Sequence, residues 1–197
     1  MDTDEFWSIV GTARSKTTED LPFHEALVDL LARRSPQDIL RYQERFDALR
    51  DAVYRWDVWA AAYLIGGGCS DDSFMDFRAG LIAQGRDWYE RAAAVPDSLA
   101  DHAEVIGAAA DFEDRTLFYE DANYCASDAY ERITGDGEAF YEAWEQYRAA
   151  HPGPGPTEPD MGEDFDFDDD DEMRRRLPRL ALLFLSEKAV DRAPTGS

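Results

Sequence analysis

The sequence is poor in cysteine, histidine and basic residues, and each shortage excludes a class of protein. Two cysteines, Cys69 and Cys125, are too few for a disulfide framework, so we expect both to pack as buried thiols. The three histidines lie in separate segments and lack the spacing of a zinc site. With 20 basic and 43 acidic residues, the net charge of -23 argues against direct binding of nucleic-acid backbones or anionic membranes.

Long apolar runs and β-strand patterns are missing as well. No stretch approaches the roughly 18 apolar residues that a membrane-spanning helix needs. The first residues, MDTDEFWSIV, lack the basic and apolar regions of a secretory signal. Runs of alternating β-branched residues are absent, and valine and isoleucine are sparse. The sequence therefore predicts an all-α, cytoplasmic protein that does not contact a membrane.

Apolar residues at spacings of three and four predict a single-domain bundle of about eight to ten helices, whose helical domain covers residues 1–150 and whose last helix is C-terminal to it. A long helix is predicted over residues 113–134. The prolines and glycines of HPGPGPTEPD, together with the acidic residues after them, predict a linker and acidic loop over residues 151–172. A C-terminal helix over residues 173–190 is expected to dock on the same domain, followed by a tail at residues 191–197.

The densest aromatic and apolar stretch runs from Arg55 to Trp88 and is expected to lie at the centre of the bundle. An apolar helix with three consecutive alanines comes first, and three glycines end it. Ser70 or Asp71 is placed to cap the next helix, and Asp72 is placed in its first turn, where the helix dipole favours a carboxylate.

Within this stretch, RWDVWAAAYLIGGGCSDDSFMDFRAGLIAQGR resembles the central signature of domain of unknown function 4240, a bacterial and mainly actinobacterial family. The segments DEFWSIV, LARRSPQDIL, AVPDSLAD and RRRLPRL also fit this family. The resemblance implies a mainly helical fold and no established activity. Two positions depart from the family pattern: Gly66 stands where a larger residue is expected, and Gly80 where an aromatic residue is usual. The second departure predicts a local cavity or a shallower pocket.

The polar and aromatic residues of the signature are the candidate binding site. Asp71, Asp72 and Arg78 fall within one to two helical turns, so a carboxylate–guanidinium pair is expected. Such a pair is a structural clamp if it is buried and a binding site if it faces a cleft, and the tryptophans are expected to be core rather than ligand-stacking residues. No catalytic residue, metal or cofactor is predicted. The candidates are Trp56, Asp57, Trp59, Ser70, Asp71, Asp72, Arg78, Gln84 and Arg86.

The acidic run EDFDFDDDDE begins like a calcium-binding loop but does not continue as one. Its sixth loop position is Asp169 where a calcium loop has glycine, and its twelfth is Arg175 where a calcium loop has glutamate. We expect an acidic cap that precedes a helix. Phe165 and Phe167 interrupt the run, so they either press on a basic, apolar partner or fold back on the domain.

Three hypotheses about function follow. The first is a non-enzymatic, acidic interaction protein, an immunity-like or regulatory partner of a basic protein. It depends on the charge, since the chain keeps -14 even without the nine acidic residues from Asp160 to Glu172. The second is a small-ligand binder or enzyme that uses the cluster of Asp57, Asp71, Asp72 and Arg78. The third is a nucleic-acid mimic, which requires carboxylates at phosphate-like spacing on one surface.

Overall fold

Helices form nearly all the regular structure in the computed structural model of the protein, which describes residues 1–111, 115–152 and 160–185. These ranges contain no β-strand, so the all-α prediction is confirmed. They contain eleven α-helices, slightly more than expected, and two 3₁₀ helices. The α-helices are α1 (Thr3–Lys16), α2 (Phe23–Leu31), α3 (Pro36–Ala52), α4 (Trp56–Gly66), α5 (Asp71–Ala83), α6 (Arg86–Ala94), α7 (Ala103–Asp111), α8 (Cys125–Thr134), α9 (Ala139–Ala150), α10 (Asp170–Arg176) and α11 (Pro178–Phe184), and the 3₁₀ helices are Pro96–Asp101 and Glu120–Asn123.

Side-chain caps begin several of the helices, including α10, where the Asp169 carboxylate accepts the backbone N–H groups of Asp171 and Glu172. Asp2 accepts a hydrogen bond from the backbone N–H of Glu5 at 2.8 Å and so caps α1. Ser35 caps α3, because its hydroxyl oxygen accepts a hydrogen bond from the backbone N–H of Asp38 at 3.2 Å. Ser70 caps α5 in the same way at 3.3 Å. Each cap satisfies a backbone N–H that has no partner within its own helix. Of the two residues predicted to cap α5, Ser70 and Asp71, the structure has Ser70 as the cap.

The central stretch forms α4 and α5, which contribute much of the core. Because its three consecutive alanines are fully buried, α4 packs closely against its neighbours. It ends at Gly67, whose φ of 62° is a left-handed conformation that glycine adopts without strain. α5 packs against α3, α4 and α6, while α1 packs against α2, and α8 packs against α2, α3 and α9. The core thus surrounds the stretch that the sequence singles out.

The prediction of one long helix over residues 113–134 is wrong for the first half of that range. An irregular segment precedes the second 3₁₀ helix there, and only α8 is α-helical. Arg115 and Leu117 take positive φ angles of 70° and 68°, which an α-helix excludes. The backbone N–H of Tyr119 donates to the carbonyl of Asp76 in α5 at 3.1 Å. Contacts with α5 therefore override the local helix propensity.

The helix predicted over residues 173–190 begins earlier and is divided in two. α10 and α11 meet at Leu177, which precedes Pro178, and a residue before proline avoids the helical conformation. α11 packs against α4, α7 and the first 3₁₀ helix. Residues 153–159 of the predicted linker, and residues 186–197 with the predicted tail, lie outside the described residues.

A buried carboxylate joins α11 to the first 3₁₀ helix. Asp97 is 8% exposed and accepts hydrogen bonds from the backbone N–H groups of Arg179 at 3.1 Å and Leu180 at 2.9 Å. These are first-turn donors of α11, which have no partner in their own helix. The Arg179 guanidinium also pairs with Asp101. The contact places α11 beside α4.

Candidate functional site

One face of α4 carries an aromatic stripe, which consists of Trp56, Trp59 and Tyr63. Their spacing of three and four residues places them on the same side of the helix. Trp56 and Trp59 stack with ring centroids 5.4 Å apart and planes 9° apart. Trp59 also stacks on Phe74 of α5 at 4.7 Å, and its Nε1–H donates to the carbonyl of Cys69 at 3.1 Å. The stripe is half-buried, so its rings are neither fully core, as was expected, nor freely exposed.

Residues 160–169, which we call the covering segment, lie over this stripe. Phe167 contacts all three rings, and its centroid lies 5.5 Å from that of Tyr63. The corresponding distances to Trp56 and Trp59 are 6.0 Å and 6.4 Å. Met161 accepts the backbone N–H of Trp56 at 3.0 Å. Of the two arrangements expected for the aromatic residues of the acidic run, the structure has the one that folds back on the domain.

Polar and charged side chains fasten the covering segment at both ends. The Tyr63 hydroxyl donates to the Asp168 carboxylate, and this hydrogen bond raises the pKa of Tyr63 because it retains the phenolic proton. At the other end, Arg176 of α10 pairs with Glu163 at 3.0 Å. The Arg176 Cζ also lies 4.2 Å from the centroid of the Phe165 ring, in cation–π geometry. One guanidinium therefore holds both a carboxylate and a ring of the segment.

Between these fastenings the covering segment presents exposed carboxylates. Asp164 and Asp166 are exposed, and neither forms an ion pair within the part of the chain that the structure describes. Within the described residues, the side-chain carboxylate of Asp166 accepts one hydrogen bond, from the backbone N–H of Asp168 at 2.9 Å. The aromatic residues of the segment contact the body of the protein while these carboxylates meet solvent. The outer surface of the segment is consequently negative and has no cation of its own.

Arg78 lies in the core between α3 and α5, and it is 8% exposed. Its Nη1 donates to the carbonyl of Arg50 at 3.1 Å, in the last turn of α3, where carbonyls lack helical partners. Its Cζ lies 4.6 Å from the ring centroid of Tyr54 and 5.0 Å from that of Phe74. Burial, together with the nearby Arg50, lowers the pKa of the guanidinium. The geometry is that of a structural clamp.

The carboxylate–guanidinium pair expected from the spacing of Asp71, Asp72 and Arg78 does not form in the described structure. Asp71 and Asp72 are exposed in the first turn of α5, where they complement the positive end of the helix dipole. Asp57 pairs instead with Arg55, through hydrogen bonds of 2.8 and 2.9 Å. No ion pair therefore joins the four residues of the predicted polar cluster to one another.

Gln84 caps the C-terminal end of α5 and Arg86 begins α6, and both side chains contact α1. Gln84 accepts a hydrogen bond from Arg14 at 3.3 Å. Arg86 pairs with Asp4 and with Glu90, both at 2.7 Å. The nine predicted residues therefore do not form one site. Among them, Trp56 and Trp59 make ring contacts with the covering segment, through Phe167.

The two glycines that depart from the family pattern make room for the irregular segment before the second 3₁₀ helix. A Cβ on Gly66 would lie 2.8 Å from the ring Cζ of Phe118. A Cβ on Gly80 would lie 2.8 Å from the carbonyl carbon of Leu117. The cavity expected at Gly80 is therefore absent, because the backbone of Leu117 occupies that space.

Sequence reasoning missed part of the contact set at the covering segment. Tyr63, Asp168 and Arg176 were not among the candidate residues, although their contacts hold the segment in place. The available signal was the alternation of phenylalanine and aspartate in the acidic run, since alternate residues of an extended chain face opposite sides.

Three findings on the described residues concern metal ligands, membrane-spanning helices and the two thiols. They contain no group of three or more histidine, cysteine or acidic side chains arranged to hold a metal ion. None of their helices has the length and apolar character needed to cross a membrane. Cys69 and Cys125 are free, and burial raises the pKa of Cys69 to about 12 and that of Cys125 further. Neither thiolate therefore forms readily at neutral pH.

Comparison with known proteins identifies a family. The family model described as "Protein of unknown function (DUF4240)" matches residues 1–132. This range includes the aromatic stripe, whereas the covering segment, α10 and α11 lie beyond it, as does the resemblance in RRRLPRL. Neither the curated proteins nor the solved structures give a significant match to the chain.

Proposed function

The chain belongs to the DUF4240 family of unknown function, and we propose from its own geometry that it is a non-enzymatic interaction protein whose partner is a basic protein. In this proposal it masks or regulates the basic surface of the partner, as an immunity-like protein does. The contact is the outer surface of the covering segment.

The observation that carries this proposal is the arrangement of the covering segment. Phe167 packs on the aromatic stripe, while Asp164 and Asp166 remain exposed without an ion pair in the described structure. Burying a carboxylate without a cationic partner is costly, so a partner surface that covers these groups has to supply lysine or arginine. A docked segment also presents its carboxylates in a fixed arrangement, which reduces the entropy lost on binding.

The remaining charges of the protein support the same choice of partner. The net charge is -23, and most described arginines near the candidate site are already paired, as Arg55 is with Asp57 and Arg176 with Glu163. An acidic partner would meet repulsion with few free cations to offset it. A basic partner would gain favourable electrostatic energy, which salt weakens because the Debye length is about 8 Å at physiological ionic strength.

Binding of poly-L-lysine, measured by calorimetry at several salt concentrations, tests the proposal. The informative variant is Asp164→Asn/Asp166→Asn, which retains the oxygen that accepts the Asp168 N–H. The matched control, Glu142→Gln/Glu145→Gln on α9, removes the same charge from exposed positions. We expect the first variant to weaken binding about tenfold. The loss of two exposed charge pairs, each worth somewhat under 1 kcal/mol, accounts for this change.

The control variant is expected to weaken binding by only about twofold, because charges beyond a Debye length are largely screened. Equal losses in the two variants would mean that the overall charge, rather than the covering segment, attracts the polymer. Affinity that does not change with salt would contradict the proposal directly.

The two alternative functions require other arrangements of the charged side chains. A ligand-binding or enzymatic role for Asp57, Asp71, Asp72 and Arg78 requires that these groups meet, and a thermal-shift screen of ligands and metal ions on wild type and Asp71→Ala/Arg78→Ala tests it. A nucleic-acid mimic would bind a DNA-binding protein in competition with duplex DNA. Binding that DNA leaves unchanged would argue against mimicry.

A further inference from the structure

We propose that a basic partner releases the covering segment and then docks on the indole rings of Trp56 and Trp59. This inference rests on the proposed function, because the cations that release the segment belong to the partner. It adds a second, aromatic contact surface that is closed in the free protein.

The first step of the argument is that Phe167 closes the aromatic stripe. Its ring contacts Tyr63 at 5.5 Å, Trp56 at 6.0 Å and Trp59 at 6.4 Å between centroids. The stripe lies on the outer face of α4 and remains half-buried even with the segment in place. Loss of the Phe167 contact would therefore expose three neighbouring aromatic rings to solvent.

The second step is that the polar side-chain contacts of the covering segment are made by carboxylates, for which a basic partner competes. Within the described residues, one backbone hydrogen bond, from Trp56 to Met161, joins the segment to α4. Its polar side-chain contacts use the carboxylates of Asp168, bound to Tyr63, and Glu163, bound to Arg176. The rings of Phe165 and Phe167 add contacts with Arg176 and with the stripe. Lysine or arginine from a partner binds the same carboxylates. Binding therefore weakens the contacts that keep Phe167 on the stripe.

The third step concerns what the exposed stripe would bind. Trp56 and Trp59 present stacked indoles, and tryptophan is the aromatic side chain that attracts cations most strongly. Trp59 is held rigidly by its stacking on Phe74 and by its hydrogen bond to Cys69. A basic segment thus finds carboxylates and cation-binding rings side by side. Large, rigid aromatic residues of this kind often dominate the energy of an interface.

The test uses the full chain with its five tryptophans labelled as 5-fluorotryptophan, so that each gives a ¹⁹F resonance. Trp56→Phe and Trp59→Phe assign the two resonances of the stripe. The Phe167→Ala variant supplies the reference for an uncovered stripe. We expect it to shift both resonances and to increase their solvent isotope shifts in D₂O. Unchanged resonances in this variant would overturn the inference, because the segment would not cover the rings in solution.

The control is Phe140→Ala on α9, where Phe140 stacks against Trp144 with centroids 6.4 Å apart. We expect this variant to shift the resonance of Trp144 and leave those of Trp56 and Trp59 in place. The Trp144 resonance also reports the integrity of the fold in Phe167→Ala, where it should not move.

Poly-L-lysine is the probe for release. On its addition to the wild type, we expect the Trp56 and Trp59 resonances to leave their covered positions. We also expect Phe167→Ala to bind the polymer severalfold more tightly than the wild type. In the wild type only the open fraction of the protein exposes the rings, which lowers the apparent affinity, whereas in the variant the rings are always exposed. If the polymer binds while both resonances stay in place, or binds both proteins equally, the inference fails and the proposed function stands. If the polymer does not bind at all, the proposed function itself fails.

Discussion

Gly80 and Leu117 are in direct backbone contact: the carbonyl carbon of Leu117 lies 2.8 Å from the position that a Cβ on Gly80 would take. Backbone atoms do not rotate aside as the end of a flexible side chain does. Gly80→Ala must therefore displace the segment around Leu117 or shift α5, and we expect it to lower the free energy of unfolding by about 3 kcal/mol. Urea unfolding followed by circular dichroism measures this loss.

Gly11 provides the control for this prediction, since a Cβ added there would meet no atom within 4 Å other than the neighbouring backbone of its own helix. It lies inside α1, so Gly11→Ala should stabilise the protein by about 0.5–1 kcal/mol through helix propensity alone. Similar effects at Gly11 and Gly80 would contradict the packing described around α5.

Arg78 is predicted to be a structural residue whose effect does not depend on Asp71 or Asp72. Arg78→Ala removes the hydrogen bond to Arg50 and the packing against two rings, so we expect a loss of about 2–3 kcal/mol in unfolding free energy. Arg78→Lys should recover little of this loss, because an ammonium group lacks the planar shape that stacks on rings.

The matching control is Asp71→Asn/Asp72→Asn, which should lower the unfolding free energy by about 1 kcal/mol, because it weakens only the interaction with the helix dipole. A double-mutant cycle between Arg78→Ala and this control should give no coupling. Measurable coupling would be evidence for the ion pair that the spacing of these residues suggests. It would contradict the contacts found for the guanidinium.

His102 is predicted to make stability depend on pH below 6.5. Its ring packs against Trp88 with centroids 4.6 Å apart, and its Nδ1 accepts the backbone N–H of Glu104 at 3.3 Å. Burial lowers the pKa of His102 from 6.5, so the unfolded chain binds a proton at a higher pH than the folded protein does. Stability therefore rises with pH through the window below 6.5 and is lost as the pH falls through it.

Thermal unfolding above and below pH 6.5 measures this contribution. His102→Asn retains an acceptor for the Glu104 N–H and should reduce the pH slope in that window. Gln37→Asn, an exposed substitution on α3 that removes no titratable group, serves as the control and should leave the slope unchanged. Identical slopes in all three proteins would show that His102 does not contribute to the pH dependence.

Asp97 is predicted to hold the C-terminal helices on the body of the protein. Asp97→Ala leaves the first-turn N–H groups of α11 without their acceptor and should cost about 1–2 kcal/mol, as the loss of a helix cap does. Limited proteolysis should then cleave within residues 160–185 sooner than in the wild type. The exposed Asp87, replaced by Asn, provides a control for the change in charge. Unaltered cleavage would mean that other contacts suffice to dock α11.

Local features of the fold were predictable from the sequence because local interactions determine them. The caps at Asp2, Ser35 and Ser70 satisfy donors only three residues away, and the pattern of apolar residues is enough to predict α4 and α5. The irregular segment at Leu117 was not predictable in this way, because it depends on a glycine in another helix.

The candidate site was predicted only in part for the same reason. Spacing alone favours a pair between Arg78 and Asp71 or Asp72, whereas the guanidinium bonds to Arg50 in α3, 28 residues away. Two segments that resemble the family, AVPDSLAD and RRRLPRL, contact each other through Asp97 and α11. Nothing in either segment indicates this contact. The phenylalanines of the acidic run likewise left open which surface they meet.

Phe167 anchors the covering segment to α4. The carboxylates of the segment therefore turn together with the body of the protein and do not sample many positions independently. The carboxylates of Asp164 and Asp166, which form no ion pair in the described structure, therefore keep a fixed place on that side of the molecule. A basic protein attracts this fixed negative surface before the two surfaces touch. The encounter therefore begins with the covering segment facing the partner, and its rate falls as ionic strength rises.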